Sequence, residues 1–140
     1  MKKVILLIMI GVSTMLSAND LSRTNGVVTD NTTNLQWQDD VASVSKTWSE
    51  AIRYCETLSL NGLSDWRLPN KNELLSIVDY TKYDPAIDAT FINVTSSSYW
   101  SSTANSSFTS HAWFVVFSYG YTYGDTKDNS TYVRCVRGGQ

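Results

Sequence analysis

A chain of 140 residues, 42% of them hydrophobic and 17% charged, is long enough for one hydrophobic core and too short for several domains. Its formal net charge at pH 7 is −2, and its basic residues do not cluster along the sequence. Because binding to nucleic acid depends on clustered Lys and Arg, no nucleic-acid partner is expected.

Residues 1–18 have the pattern of a secretory signal peptide. Two lysines precede an apolar run over residues 4–16, and the small residues Ser17 and Ala18 follow. The run is too short to span about 30 Å of hydrocarbon comfortably. We therefore expect cleavage after Ala18 and one mature domain over residues 19–140, periplasmic or extracellular, with no transmembrane anchor; a retained N-terminal anchor is the alternative. Loss of the two lysines takes the formal charge to −4.

The chain contains two cysteines, Cys55 and Cys135. In an exported domain an even number of cysteines indicates a disulfide. Closing a loop of this length would stabilise the fold by roughly 4 to 5 kcal/mol on the chain-entropy model. Two free or metal-binding thiols are the alternative, but the single histidine, His111, offers few further ligands. We expect no metal site and no cofactor.

The first half of the mature domain is predicted to contain two strands followed by a helix. Residues 25–30 and 35–38 are short β-branched or aromatic runs on either side of a polar turn, which is typical of strands. Thr47 and Glu50 have the spacing of a capping box and predict the start of a helix. The apolar positions that follow recur at helical spacing, which places Cys55 on the buried face.

A second helix is predicted after a break in the chain. Asn61 and Gly62 are expected to stop the first helix. Asn70, with Glu73 three residues later, predicts the start of the second. The irregular residues 80–93 are interpreted as a loop.

Residues 95–110 are unusually rich in small polar side chains. Twelve of these sixteen residues are Ser, Thr or Asn. Such a composition buries little surface, so it predicts an exposed and partly mobile loop. A short strand over residues 99–102 is the alternative within it.

The C-terminal part is predicted to be a meander of three strands. Residues 112–117 are apolar on both alternating faces, as in a central strand. Residues 119–123 and 131–137 predict the next two strands, joined by a turn over residues 124–130. In the last strand Cys135 is expected to face the core, where it can meet the first helix.

Several segments, taken together and in order, resemble a known domain family. They are Asn34–Gln38, Thr47–Ala51 with Cys55, Ser64–Asn70, Tyr99–Ser102 and Tyr132–Gly138. The family is typified by the C-terminal domain of the Legionella collagen-like adhesin, and the resemblance covers almost all of the mature chain. It implies an α+β, C-type-lectin-like fold related to the formylglycine-generating enzyme superfamily, with two helices packed on a small antiparallel sheet and long irregular loops. It also implies cell-surface or periplasmic placement and, in the namesake, adhesion through sulfated polysaccharides.

Two departures from related proteins limit what the resemblance implies about chemistry. Calcium-dependent lectins use a Glu-Pro-Asn or Gln-Pro-Asp loop, whereas the two prolines here, Pro69 and Pro85, lie in other contexts. The enzyme branch of the superfamily uses a close cysteine pair, whereas Cys55 and Cys135 are 80 positions apart. Neither the calcium site nor the copper chemistry is therefore expected.

A set of aromatic and charged residues is expected to hold the fold together. Asp65 and Arg67 flank Trp66 and are predicted to form an ion pair or a backbone clamp at the turn into the second helix. Trp48 and Trp113 are assigned to packing. The residues of this structural motif are Trp37, Trp48, Asp65, Trp66, Arg67 and Arg134.

The candidate ligand-binding residues lie in the C-terminal half. Period-two spacing places Tyr119, Tyr121 and Tyr123 on one side of a strand that otherwise contains Gly and Thr. Together with Trp100 and Lys127 they form the candidate binding surface. The alternative is that this surface packs on the protein or on a neighbouring subunit.

The sequence favours an exported, non-catalytic binding or adhesion module for a surface polysaccharide or a cell-envelope protein. A sulfated polysaccharide is disfavoured by the −4 charge. One alternative is a periplasmic hydrolase-type enzyme that uses His111 and an acidic partner. Another is a structural protein of envelope assembly, acting as an oligomer. Paired aspartates such as Asp125 and Asp128 are interpreted as turn residues.

Overall fold

The computed structural model describes residues 20–41 and 44–139. The predicted signal peptide, residues 1–18, lies outside them. Within the described residues the fold is mixed α/β, with two helices and two sheets, and strands predominate. The elements are β1 (Leu21–Thr24), β2 (Val27–Asp30), β3 (Leu35–Gln38), β4 (Val44–Lys46), α1 (Trp48–Thr57), α2 (Lys71–Ser76), β5 (Ser98–Ala104), β6 (His111–Val116), β7 (Tyr121–Thr126), β8 (Thr131–Val133) and β9 (Val136–Arg137).

The strands form two sheets, where the sequence predicted one small antiparallel sheet. The first sheet has the order β1-β2-β3-β9, and the second has the order β4-β8-β5-β6-β7. All pairs are antiparallel except β5 with β8, which is parallel. The second sheet ends at β7, which carries two of the candidate tyrosines.

Both predicted helices are confirmed at their capping residues. The Glu50 carboxylate accepts the backbone N–H of Thr47 at 3.0 Å. At the second helix the Asn70 side chain accepts the N–H of Glu73 at 2.8 Å, and the Glu73 carboxylate accepts the N–H of Asn70 at 2.9 Å. α1 ends at Thr57, ahead of the expected stop at Asn61, because residues 58–63 form a tight turn closed by backbone hydrogen bonds between Leu60 and Leu63.

The Ser-rich segment is only partly the exposed loop that its composition predicts: residues 106–110 are exposed, but the alternative of a strand over residues 99–102 is confirmed. Residues 98–104 form β5, which lies in the interior of the second sheet between β8 and β6. Ser101 is buried, and its hydroxyl donates a hydrogen bond to the carbonyl oxygen of Trp113 at 2.7 Å. Small hydroxyl side chains can therefore occupy a buried strand when a backbone acceptor is within reach.

The predicted final strand is divided between the two sheets. β8 belongs to the second sheet and β9 to the first, with Arg134 and Cys135 between them. The hairpin before it is also displaced: β7 begins at Tyr121 and runs to Thr126, so the following turn is shorter than predicted. Tyr119 consequently lies in the turn between β6 and β7.

Two hydrophobic clusters form the core, one on each face of the second sheet. One cluster fills the space between the two sheets and α2, and includes Trp37, Leu74 and Phe117. The other lies between α1 and the opposite face, and includes Trp100 and the Cys55–Cys135 disulfide. The predicted disulfide is thus present and fully buried.

Neither α1, α2 nor any other helix in the described ranges combines the length and the apolar content of a membrane span.

Candidate functional site

Three tyrosines form a continuous exposed surface at the β7 edge of the second sheet, and we call Tyr119, Tyr121 and Tyr123 the tyrosine row. Their exposed fractions are 64%, 47% and 62%. The rings of Tyr119 and Tyr121 are stacked at 6.5 Å between centroids, and those of Tyr121 and Tyr123 meet edge to face at 5.7 Å. The three rings therefore adjoin and face solvent, although only Tyr121 and Tyr123 lie on the strand where all three were predicted.

The hairpin turn and the neighbouring strand hold the row in place. Gly120 has φ +85°, and a Cβ there would lie 2.3 Å from a methyl group of Val78, so only glycine fits this turn. On β6, Val116 pairs with Tyr121 and Phe114 pairs with Tyr123. Paired residues share one face of a sheet, so these half-buried apolar side chains form the floor of a groove beside the row.

Trp100 does not belong to the exposed surface, and its prediction as a ligand-binding residue is wrong. It is fully buried, and its indole Nε1 donates to the carbonyl oxygen of Lys46 at 3.0 Å. Its ring meets that of Phe114 edge to face at 5.9 Å. Trp100 therefore supports the floor of the groove from below and cannot contact an external ligand.

Lys127 lies beyond the end of β7 and is engaged by other parts of the protein. Its ammonium nitrogen is 4.4 Å from the ring centroid of Trp48 and donates to the carbonyl oxygen of Thr109 at 2.7 Å. Its backbone carbonyl accepts the N–H of Trp48 at 3.0 Å. Four residues of strand correspond to about 13 Å, so Lys127 is well separated from Tyr123.

The predicted clamp around Trp66 is confirmed, but Asp65 and Arg67 do not pair with each other. Arg67 forms a bidentate ion pair with Glu73 of α2 at 2.6 and 2.7 Å, and Asp65 pairs with Arg137 of β9 at 2.6 and 3.1 Å. The hydrogen bonds from Arg137 lower the pKa of the Asp65 carboxyl. Buried Trp66 lies between them and donates to the carbonyl oxygen of Leu63.

Arg134 is a buried structural residue, as expected. Its guanidinium donates to the fully buried carboxylate of Asp39 at 3.0 Å and to the carbonyl oxygen of Asn93 at 2.7 Å. Asp39 also accepts Arg23 at 2.9 Å and the backbone N–H groups of residues 92 and 93. The Asp39 carboxylate thus has four donors, which makes this pair a fixed junction between the sheets rather than a reactive group.

The surroundings of His111 do not resemble a catalytic triad. Its Nδ1 lies 3.0 Å from the hydroxyl of the adjacent Ser110, on the exposed side of the protein. Among residues 20–41 and 44–139, no carboxylate hydrogen bonds to the imidazole. A triad base requires such a group to orient the ring.

The acidic residues near His111 form local turn contacts. Both Asp125 carboxylate oxygens accept the Asn129 side-chain amide at 3.0 Å, which lowers the pKa of this carboxyl. Within the described part of the chain, no group of three or more His, Cys, Asp or Glu side chains is arranged to hold a metal ion.

A second groove lies on the opposite face of β7, and sequence patterns did not identify it. We call it the Gly124 groove; it is lined by Asn105, Phe108, His111, Trp113, Thr122, Tyr123 and Gly124, so Tyr123 of the tyrosine row also borders it. Trp113, which was assigned to packing, is only partly buried there. In the sequence, Thr122 and Gly124 alternate with the tyrosines, which places these two small residues on the opposite face of the strand. A pair of small residues does not by itself indicate a binding site, so this pattern did not predict the groove.

Comparison with family models identifies the chain over most of its length. The model of the Lcl C-terminal domain matches residues 26–137. The chain belongs to this family. No curated protein matches the chain. The Lcl C-terminal domain match includes the disulfide, the tyrosine row and the Gly124 groove, whereas β1 lies outside it.

Proposed function

We propose that this Lcl C-terminal domain is an exported, non-catalytic binding or adhesion module, and that the tyrosine row is its main contact surface. The observation that carries the proposal is the exposure of three adjoining tyrosine rings at one sheet edge. Tyrosine supplies a large amphipathic contact area at a small cost in side-chain entropy, which is why binding surfaces are rich in it.

The contrast with the other aromatic residues supports this assignment. Three tryptophans, Trp37, Trp66 and Trp100, are at most 2% exposed. The fold therefore buries other large aromatic rings almost completely, whereas it leaves the three tyrosine rings exposed. Tyr121 and Tyr123 are exposed on a regular strand beside half-buried Phe114 and Val116, and Tyr119 is exposed in the turn before it. A contiguous aromatic and apolar surface of this kind is typical of interaction sites.

We propose a surface polysaccharide as the ligand, with a cell-envelope protein as the alternative partner. The apolar faces of sugar rings fit exposed tyrosine rings, and the tyrosine hydroxyls can bond to sugar hydroxyls. After removal of the proposed signal peptide the domain would carry a charge of −4, and the row itself contains no cationic side chain. Electrostatic attraction to sulfate groups is therefore not the proposed driving force.

The finer features of the fold and the location belong to the same proposal. The two helices, the division of the C-terminal segment between two sheets and the helix-to-strand disulfide are compatible with a C-type-lectin-like fold. Export through the signal peptide would place the domain in the periplasm or outside the cell, where a buried disulfide forms. A hydrolase that uses His111 is not proposed, because no carboxylate among the described residues hydrogen bonds to its imidazole.

The test is binding of the purified exported protein to a glycan array and to intact bacterial cells. We expect Tyr121→Ala/Tyr123→Ala to reduce binding at least about tenfold without lowering the thermal midpoint, because both rings lie outside the core. Tyr83→Ala, which removes a tyrosine that is 76% exposed and outside the row, is the matched control. Unchanged binding by the double variant would exclude the row. Sedimentation of both proteins separates ligand binding from self-association.

A further inference from the structure

The Gly124 groove contains a glycine, Gly124, that the fold does not require at this position. Gly124 lies inside a regular strand, where glycine weakens the structure, and its φ is outside the left-handed region. A Cβ at residue 124 would meet its nearest neighbours at 3.5 to 3.8 Å, which is ordinary van der Waals contact. Neither the backbone conformation nor the packing therefore requires glycine at this position. Because residue 124 has no side chain, the groove has open space there.

The atoms around that space combine flat apolar surfaces with hydrogen-bonding groups. The indole edge of Trp113 and the side-chain amide nitrogen of Asn105 each lie 3.8 Å from the point where a Cβ of residue 124 would be. The amide is oriented, because the Asn105 oxygen accepts the N–H groups of residues 107 and 108. The nitrogen is thereby directed towards the groove as a donor.

The edge position of β7 adds backbone groups to the same region. Lys127 N–H donates to the carbonyl oxygen of Ser110, its partner in register. Because hydrogen-bonded pairs alternate in an antiparallel ladder, residues 121, 123 and 125 bond to β6. Thr122 and Gly124 therefore direct their backbone N–H and C=O groups away from the sheet, on the side where no strand of the described chain pairs with β7.

From this geometry we infer that the Gly124 groove is a second binding site, which accepts one neutral pyranose ring of a polysaccharide. The inference rests on the proposed binding function and names the sugar class. The apolar face of the ring packs on Trp113 and Phe108, and its hydroxyls bond to Asn105, His111 and Thr122. The volume of about 440 Å³ is in the range of small-molecule sites.

The charge of the lining selects a neutral sugar. The lining of the groove contains no Asp, Glu, Lys or Arg side chain. Lys71, which lies outside the lining, has its ammonium nitrogen 4.8 Å from the ring centroid of Trp113 and is engaged with the indole. A sulfate or carboxylate group would lose its hydration here without gaining an ion pair to a Lys or Arg of the lining.

The test is an NMR titration of the uniformly ¹⁵N-labelled mature protein with methyl glycosides of glucose, galactose, mannose and N-acetylglucosamine. At least one of these sugars is expected to shift the backbone amides of Thr122 and Gly124 and the indole N–H of Trp113. Gly124→Val fills the groove and should reduce affinity at least about tenfold, while its thermal midpoint stays equal or rises by a few degrees. Gly124→Ala is the smaller second variant, with an intermediate loss.

Two further variants separate this inference from the proposed function. Thr122→Val replaces one hydroxyl of the groove with a methyl group of similar size and should weaken sugar binding, whereas Tyr121→Ala on the opposite face should leave the groove shifts unchanged. The inference is overturned if no sugar shifts these groups, or if Gly124→Val binds as the wild type does. Because Tyr123 also lines the groove, Tyr119→Ala/Tyr121→Ala is the variant that separates the two sites. Loss of cell binding in this variant combined with silent groove amides in the wild type would overturn the groove alone. Groove shifts combined with normal cell binding by this variant would overturn the tyrosine row alone.

Discussion

At the scale of single residues, the tryptophans show what the sequence leaves open. Composition and spacing indicated that most of them are buried, and Trp37, Trp66 and Trp100 are. Trp100 was nevertheless assigned to the ligand surface, because its Ser-rich neighbours suggested an exposed loop. Its burial depends on a neighbouring strand and on the Lys46 carbonyl, which lies 54 residues away in sequence. No local pattern reports such a partner.

Two fully buried tryptophans provide a prediction about this hydrogen bond. Trp100 Nε1 bonds to Lys46, whereas Trp37 Nε1 has no partner within the described residues. Both Trp→Phe substitutions leave similar cavities, but only Trp100→Phe also leaves a carbonyl oxygen without its donor. We expect it to lower the free energy of unfolding by about 1 kcal/mol more than Trp37→Phe does. Urea unfolding of the two variants measures the difference, and equal losses would show that this bond adds no net stability.

At the scale of secondary structure, elements with local signals were predictable and those defined by pairing were not. Both helix starts follow from capping boxes, which involve residues three apart. β1 and β4 were missed because β1 is mostly exposed and β4 has only three residues. The tyrosine row was predictable from its period of two. The Gly124 groove was not, because Asn105 and Trp113 reach it from two other segments.

The capping box of α2 gives a prediction about acid stability. Burial opposes ionisation of Glu73, but hydrogen bonds from Arg67 and Asn70 outweigh it, so the pKa of Glu73 lies below its usual value of 4.5. A carboxyl with a lowered folded pKa stabilises the protein above its unfolded pKa, and this stability is lost as pH falls through the folded value. The wild type should therefore lose stability progressively below about pH 4.5.

Substitution Glu73→Gln tests this dependence, because it keeps a capping oxygen but removes the charge. It should cost about 1 kcal/mol at pH 7 and flatten the decline in stability at lower pH. The control is Glu50→Gln in the capping box of α1. Glu50 is exposed and has a pKa lowered mainly by hydrogen bonds at Thr47, without a paired arginine. Chemical unfolding from pH 7 to pH 3 compares the three proteins, and parallel profiles for wild type and Glu73→Gln would contradict the assignment.

At the scale of the whole molecule, the C-terminal segment joins parts that are distant in sequence. β8 completes the second sheet and β9 the first, while Arg134 and Cys135 between them reach Asp39 and Cys55. Arg67 and Val136 also exchange two backbone hydrogen bonds at 2.8 and 2.9 Å. The segment was predicted as one strand because its side-chain pattern is continuous; the two sheets divide it because Arg134 turns to the buried Asp39 carboxylate.

The disulfide closes a separation of 80 residues, so its removal should affect stability far more than the binding surface. On the chain-entropy model, Cys55→Ala/Cys135→Ala lowers the free energy of unfolding by roughly 4 to 5 kcal/mol. Reduced wild type loses the crosslink but keeps both sulfur atoms in the core, whereas the alanine double variant loses both. Comparing their free energies of unfolding therefore separates the entropic effect of the crosslink from the effect of lost buried volume. Equal urea midpoints for oxidised and reduced wild type would contradict the entropic contribution. The tyrosine row should still bind wherever the reduced protein remains folded, because β7 is anchored by β6 at the edge of the sheet farthest from β4 and β8.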